Sequence, residues 1–361
     1  MAGPASRVGS FEGAVSASEL TRALKARALA LGFHKVAIAR AEPLERDRAA
    51  LAAWLAGNRH ATMAWMGKDP DKRSDPEAML PGCRSVVALA VNYGPGGGTP
   101  AAAGAARVAR YANGRDYHKV LGGMLKELAA WLAAESGVAA RTFVDTGPVL
   151  ERAWAERAGL GWIGKNANVL TRDLGSWTLL GEVLTQAELA PDDGPHQDFC
   201  GTCTACLDAC PTHAIEAPGV VDSNACISYW TIEHRGAIPE TRREGLGDWI
   251  FGCDICQEVC PWNLSFARPP ADDPFGRRPD LEGLDPEEIL AMDEDAFRSR
   301  FSGTALMRAR FDGMRRNAAI VLGNRRDPAA LAALRAAAND VDPVLREHAQ
   351  WAIGRIESGQ S

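Results

Sequence analysis

The sequence predicts three regimes in succession: an α/β domain, a cysteine-organised domain with ferredoxin-like spacing, and an all-α, HEAT-like C-terminal segment. Three observations carry that prediction. Up to about residue 190, short apolar runs with β-branched residues alternate with amphipathic helical stretches. Eight of the nine cysteines then fall between Cys200 and Cys260. Beyond about residue 300, short amphipathic helical segments follow one another. A chain of 361 residues has room for two or three domains at about 100 to 200 residues each. With 46% hydrophobic and 24% charged residues it is close to the globular average, and no apolar run reaches the ~18 residues of a membrane span. Disordered and membrane-spanning chains are excluded, and no membrane partner is expected. Forty Lys and Arg against 46 Asp and Glu leave a net charge of −6, so no global basic field marks a nucleic-acid partner.

Taken in order, residues 1–15 are small and Gly-rich, and Ser16 with Glu19 forms a capping box for a helix carrying Leu20, Leu24 and Leu31. Residues 35–41 read as a strand, 44–56 as a helix, and 85–92, with Val86, Val87, Leu89 and Val91, as a buried strand. A Gly/Pro/Ala loop occupies 94–106, and 118–136 places Val120, Leu121, Leu125, Leu128 and Leu132 at helical spacing. Residues 141–145 read as a strand and 148–158 as a helix opened by Pro148. Residues 168–171 and 177–184 read as a hairpin around Gly175. A proline-rich, charged linker precedes helical segments at 305–322, 329–338 and 343–356, about one and a half helical-repeat units. The chain therefore divides into a flexible N-terminus (1–17), an α/β domain (18–190), a bacterial ferredoxin-type domain (191–272), and a linker with HEAT-like helices (273–361).

The N-terminal residues Met1-Ala2-Gly3-Pro4-Ala5-Ser6-Arg7 contain neither a basic region followed by an apolar stretch nor a twin arginine, so a cytoplasmic location is expected. Thiols there stay reduced, and clustered cysteines bind metal rather than pair. The first run, Cys200-x-x-Cys203-x-x-Cys206-x-x-x-Cys210-Pro211, has the spacing of bacterial ferredoxins, whose fourth cysteine ligates the other cluster. The second is Cys253-x-x-Cys256-x-x-x-Cys260-Pro261, with Cys226 between the runs. Eight thiolates complete two [4Fe–4S] clusters. The crossover rule assigns Cys200, Cys203, Cys206 and Cys260 to one, and Cys210, Cys226, Cys253 and Cys256 to the other. Structural zinc with four cysteines per site is the competing reading; the two Cys-Pro tails and three cysteines in one run favour iron and sulfur. Cys83 reads as an ordinary buried thiol, and His196, His213, His234 and His348 as surface or structural residues. Two adjacent clusters make an electron relay, but no GxGxxG after a strand, Walker loop or flavin fingerprint names an acceptor.

A resemblance supplies one. Val144-Asp145-Thr146-Gly147-Pro148-Val149-Leu150-Glu151-Arg152 and Ala158-Gly159-Leu160-Gly161-Trp162-Ile163-Gly164-Lys165-Asn166 closely resemble the epoxyqueuosine reductases. So do Arg110-Tyr111, Gly114-Arg115-Asp116-Tyr117-His118-Lys119, Cys226-Ile227-Ser228-Tyr229-Trp230-Thr231-Ile232-Glu233 and Gly252-Cys253-Asp254-Ile255-Cys256-Gln257. The resemblance implies a cobalamin-dependent oxidoreductase related to reductive dehalogenases, with the cofactor in the α/β domain. It would reduce epoxyqueuosine to queuosine in the anticodon loop of tRNA, with electrons from an external donor that the sequence does not identify, and work as a monomer. Asp116-Tyr117-His118-Lys119-Val120-Leu121 is a near miss to a D-x-H-x-x-G cobalt-ligating motif, so base-off cobalamin without a histidine ligand is expected. Carried over position by position, Asp145 matches the proton donor, with a pKa expected to be raised by burial. Arg73, Arg110, Asp145, Val169, Leu180, Ser228, Cys253 and Asp254 match cobalamin-contacting positions, and Arg152 and Arg235 match tRNA contacts. Between residues 298 and 357 eleven arginines face six acidic residues, a local charge of +5. Arg315, Arg316 and Asn317 are the phosphate contacts expected there. A soluble reductive dehalogenase acting on a small molecule and a ferredoxin-type electron carrier are the alternatives; the basic helical tail argues against the first, and the large N-terminal domain against the second.

Overall fold

The computed structural model describes residues 16–94 and 104–359. The expected N-terminal arm and most of the 94–106 loop lie outside these residues. The capping box forms as read: Ser16 Oγ accepts from the Glu19 N–H at 3.3 Å and opens α1 (Ala17–Ala30). The strands β1 (Lys35–Arg40) and β2 (Ser85–Asn92) follow, separated by α2 (Glu45–Ala56), and β3 (Ala106–Val108) precedes the long α3 (Tyr117–Ser136). Then come β4 (Ala140–Phe143), α4 (Glu151–Arg157), β5 (Trp162–Ile163), β6 (Val169–Leu170) and β7 (Thr178–Thr185).

The main sheet has the order β1-β2-β7-β4, and every pairing in it is antiparallel. The α/β expectation is corrected here: helices do flank the sheet, but no parallel βαβ crossover builds it, so the architecture is α+β. All eight residues of β2 are buried because both faces are covered. Val87, Leu89 and Val91 pack toward α1 and α3, while Val86, Ala88 and Ala90 pack toward α4. The expected hairpin around Gly175 does not form. β6 pairs with β5 and β7 pairs with β2 and β4, leaving only a Thr171–Gly175 bridge between the two runs. Apolar alternation identifies a strand but not its partner. The strand expected through residue 145 stops at Phe143, because Asp145 takes a left-handed φ of +50°. The next helix begins at Glu151 rather than at Pro148.

Later in the chain, β8 (Trp249–Phe251) pairs in parallel with β3, which also pairs antiparallel with β9 (Gly283–Leu284). One small sheet thus draws strands from all three expected regions. The stretch read as a linker contains α5 (Pro286–Ala291) and α6 (Glu294–Phe301), whose Ile289, Leu290, Phe297 and Phe301 enter the main core. Then α7 (Arg310–Arg325), α8 (Leu331–Ala337) and α9 (Pro343–Ser358) form the C-terminal layer, with α7 packed between α5 and α9. The helix expected over 305–322 breaks at Arg310, where φ reaches +64°. Among the described residues no helix is long and apolar enough to cross a membrane.

The expected phosphate contacts are corrected by this packing. Arg316 is 2% exposed and Asn317 is fully buried. Arg316 donates to the carbonyls of Trp230, His234 and Gly236 at 2.9 to 3.1 Å, and Asn317 donates to those of Thr231 and Ile250 at 2.9 Å. Arg315 pairs with Asp340 at 2.7 Å and donates to the Leu290 carbonyl. Arg316 and Asn317 bolt α7 to the cysteine-rich region, and Arg315 ties it to α5 and to Asp340. A charge count cannot distinguish a guanidinium facing water from one satisfying backbone carbonyls. Arg316→Ala is therefore expected to lower stability by about 3 kcal/mol or more, since it strands three acceptors. It should leave the salt slope of RNA binding unchanged; denaturant unfolding and RNA titration check the two halves.

Candidate functional site

All nine cysteines are free thiols, and Cys83 is buried far from any role, its thiol pushed up to about 11 by burial. Seven of the other eight sit on two similar loops, each containing a one-turn helix, Ala205–Asp208 and Ile255–Glu258, that pack against each other, and Cys226 lies between them in sequence. Gly252 sets up the second loop: its φ is +68°, and a Cβ would lie 2.4 Å from that of Ala109. Burial raises the Cys206 thiol, and the neighbouring Cys200, Cys260 and Cys203 raise it further. Cys260 likewise feels burial first and then Cys203. Cys253 is pushed up to about 12 by burial, then by Cys226 and Cys210. Cys256, also raised by burial, feels Cys253 and Cys226, and beyond them Cys206. Cys200, Cys203, Cys206 and Cys260 thus feel one another's charges, as do Cys210, Cys226, Cys253 and Cys256, and Cys256 feels Cys206 as well.

Among the described residues no three His, Cys, Asp or Glu side chains converge on a single ion. A four-iron cube is bound differently, each thiolate on its own iron, so its ligands stand apart around the cube. Trp162, Phe199 and Trp262 pack edge to face beside Cys200 and Cys260. Tyr229, Trp230 and Ile255 pack beside Cys226 and Cys253. Mutually repelling thiolates within an apolar wall suit a multiply charged cationic cluster.

Charged and aromatic side chains gather next to Cys253, and a cavity near Asp145 is lined by His118, Phe143, Val144, Thr146 and Gly147. Asp254, directly after Cys253, accepts from the Arg110 N–H at 2.8 Å, and burial pushes its carboxyl up to about 7. The Arg110 guanidinium lies 4.8 Å over Trp177. Tyr111 is the next residue, and its hydroxyl is raised by burial and then by the charges of both Asp145 and Asp254. Tyr111 therefore lies near both carboxylates. The Asp145 side chain is 62% accessible yet crowded by surrounding protein, as expected for a group lining an open recess.

Asp145 accepts hydrogen bonds from Tyr117 Oη at 2.5 Å and from His118 Nε2 at 3.1 Å. His118 Nδ1 in turn contacts Asp116 Oδ1 at 2.7 Å, and Asp116 caps α3. Burial pushes the Asp145 carboxyl up, but the bonds from His118 and Tyr117 and the charges of His118 and Arg308 outweigh it and bring it below the ordinary value. The expected raised pKa is thus corrected. Burial opposes charge on His118 as well, but its bonds to Asp145 and Asp116 prevail and raise it. Both shifts favour the charged forms, an imidazolium beside a carboxylate. Because both imidazole nitrogens are engaged, His118 offers no free lone pair to a metal.

Of the other carried-over positions, Ser228 lies beside Cys226, and Val169 and Leu180 pack with Val149 and Leu150 next to the Asp145 loop. Arg73 is buried and donates to the Trp65 carbonyl. Arg152 opens α4 and is exposed; burial of its head lowers its pKa. Arg235 is exposed beside Arg308 and Arg310, and its pKa is lowered by burial and then by Arg310. His118 and Arg308 were missed as site residues. The D-x-H motif was the signal for the first, and nothing local pointed to the second.

Three family models match the chain: "Epoxyqueuosine reductase QueG, DUF1730" over residues 73–146, "4Fe-4S double cluster binding domain" over 199–263, and "HEAT repeats" over 303–361. An epoxyqueuosine reductase of Gloeobacter violaceus is 48% identical, covering 86% of this chain and 98% of that protein. One from Pseudomonas aeruginosa is 42% identical, covering 94% and 95%. The crystal structure of an epoxyqueuosine reductase with an epoxyqueuosine-modified tRNA-Tyr stem loop superposes with a TM-score of 0.89 at 31% identity, covering 94% of this chain and 91% of that one. The structure of the Streptococcus thermophilus enzyme gives 0.85 at 29% identity, covering 93% and 90%. With identity of this level over most of its length, the chain belongs to the epoxyqueuosine reductase family.

Proposed function

We propose that this chain reduces epoxyqueuosine in a tRNA anticodon loop to queuosine, as a cytoplasmic monomer fed by an external electron donor. The observation that carries the reading is the Asp145 loop, where Tyr117 and His118 hydrogen-bond the Asp145 carboxyl and the neighbouring Tyr111 feels the charges of both Asp145 and Asp254. The layout that goes with it is a catalytic region over 18–190, a two-cluster region over 191–272 and a helical RNA-binding region over 273–361. Cys200, Cys203, Cys206 and Cys260 hold one [4Fe–4S] cluster, and Cys210, Cys226, Cys253 and Cys256 hold the other. Arg73, Arg110, Asp145, Val169, Leu180, Ser228, Cys253 and Asp254 hold a base-off cobalamin. When bound, the clusters supply one-electron transfer and the corrinoid a strongly reducing cobalt.

The chain's own part is proton delivery and positioning. Opening an epoxide leaves charge on the departing oxygen, and a proton held at the His118–Asp145 pair neutralises it as it forms. Asp116 and Tyr117 fix the orientation of the pair. The target base leaves the loop stack to reach the recess. Arg152, Arg235, Arg308 and Arg310 are placed to bind the flanking phosphates, the last two replacing Arg315, Arg316 and Asn317 in that role. Arg308→Ala with Arg310→Ala should weaken stem-loop binding and flatten its salt dependence by about two units of slope. An unchanged slope would remove this ridge from the interface.

The pH dependence follows from the pair. His118 has a raised pKa, so its proton is present below the ordinary histidine value and lost as pH rises through the raised one. Turnover should persist above the usual histidine range before it falls, and His118→Gln should abolish that limb. The direct test of the function is mass spectrometry of an epoxyqueuosine-containing stem loop after incubation with cluster-loaded protein, cobalamin and a chemical reductant. Loss of one oxygen from the RNA is expected; an unaltered RNA would sink the reading, and a protein that takes up clusters but no corrinoid would favour an electron carrier.

A further inference from the structure

The turn between β5 and β6 belongs to the first region of the chain, yet its side chains end on the two cysteine loops. Lys165 Nζ donates to the Gly201 and Cys203 carbonyls at 2.7 and 2.9 Å. Asn166 Nδ2 donates to the Cys256 carbonyl at 3.2 Å, so one turn holds both loops. Trp162, at its base, is 1% exposed and packs with Cys200 and Cys260, its ring edge to face with those of Phe199 and Trp262. Its indole N–H is buried and, among the described residues, has no hydrogen-bond partner. The turn is itself held in place. The Ala167 carbonyl accepts from Arg152, the Lys165 carbonyl accepts from the Gly219 N–H at 3.0 Å, and the Asn168 N–H donates to Asn166 Oδ1 at 3.2 Å. At Gly161 a Cβ would lie 2.1 Å from the Leu170 carbonyl oxygen, so glycine is what lets the two strands close this tightly.

A buried indole N–H without an oxygen acceptor costs free energy unless another group in its surroundings accepts it. The surroundings here are cysteine sulfurs. Burial raises the Cys200 thiol, while the Lys165 backbone and then the Trp162 indole act against burial and favour the thiolate. We propose that the 162–166 turn is a redox-tuning strap on the first cluster, that of Cys200, Cys203, Cys206 and Cys260. Trp162 donates its indole N–H to the cluster's sulfur at Cys200, and Lys165 places its ammonium on the same loop, so that both make this cluster easier to reduce. The inference rests on the two-cluster reading and deepens it. Loading the cluster moves one electron onto it from an external one-electron reductant; the cluster gains one negative charge, no bond breaks and no proton moves. A donated N–H and a nearby cation both stabilise that added charge and raise the potential. Of the eight cysteines Cys203 is exposed and the rest are half-buried or buried, so the first cluster is the one an external reductant reaches.

The test is a redox titration of the cluster-loaded protein, without RNA or corrinoid, followed by electron paramagnetic resonance. The signal of the first cluster is the one that Cys203→Ser removes. Trp162→Phe keeps an aromatic ring and drops the N–H, and Lys165→Met keeps an unbranched stem and drops the ammonium. Each should make the first cluster about tenfold harder to reduce, a downward shift of about 59 mV for one electron, and leave the midpoint of the second cluster at its wild-type value. Lys165→Arg, which keeps the charge, should recover most of the shift. Iron content and unfolding midpoint equal to those of the wild type show that the clusters and the fold survive the substitutions. Should Trp162→Phe lose iron, the half-buried Lys165 decides through Lys165→Met and Lys165→Arg. Midpoints unchanged in the variants, or shifted equally for both clusters, would overturn the strap and leave the two-cluster reading standing. A wild-type protein that takes up iron for fewer than two clusters would overturn that reading, and the strap with it.

Discussion

Asp145→Asn is expected to lower turnover by about 10² to 10⁴-fold, the range a positioned proton donor supplies, while leaving cluster content and RNA affinity at wild-type levels. The reason lies in the pair rather than in the aspartate alone. Asn can still accept from Tyr117, so the loop keeps its shape, but it removes the negative charge that holds the proton on His118. His118 then falls back toward its ordinary value and holds its proton less firmly. At 1.36 kcal/mol per factor of ten, the loss is about 3 to 5 kcal/mol of transition-state stabilisation. Single-turnover rates and the pH profile check it, and an unaltered rate would end the role assigned to Asp145. Because the proton sits on the histidine, His118→Gln should be nearly as damaging and should not add to Asp145→Asn in the double variant.

The second large effect concerns which cysteines belong together. Cys256→Ser should remove one cluster, cut bound iron from ~8 to ~4 per chain, and abolish turnover, since a serine oxygen does not replace a thiolate on iron. The sharper comparison is between members of the quartets. Cys260→Ser should match Cys203→Ser in the spectrum of the cluster that survives, and Cys210→Ser should match Cys226→Ser. Were the quartets local in sequence, Cys260→Ser would instead match Cys256→Ser. Iron and sulfide analysis with electron paramagnetic resonance of the reduced variants decides between the two patterns. The crossed pattern is the one expected from the ferredoxin-like spacing of the two runs, whose short helices contact each other.

Much of this was legible in the residues. The capping box at Ser16, the buried strand 85–92 and the long helix ending at Ser136 all formed where local spacing placed them. Each depends on neighbours within a few positions. The hairpin around Gly175 failed because pairing is a long-range choice: residues 178–185 found two better partners in β2 and β4. The supposed linker failed because its charged surface residues hid Ile289, Leu290, Phe297 and Phe301, which complete the core.

The sequence alone therefore determined the class of chemistry: thiol count and spacing demand iron–sulfur clusters, and the segments around Asp145 identify the family. Only the tertiary structure decided where protons and charges reside. It turned Arg316 and Asn317 inward, left Arg308 and Arg310 at the surface, lowered Asp145 and raised His118 through their mutual hydrogen bond, and enclosed Glu182 without a donor. The physical reason is that a side chain's charge state is set by the solvent it loses and the dipoles it meets. Those come from segments distant in the chain, about which residue identity and spacing carry no information.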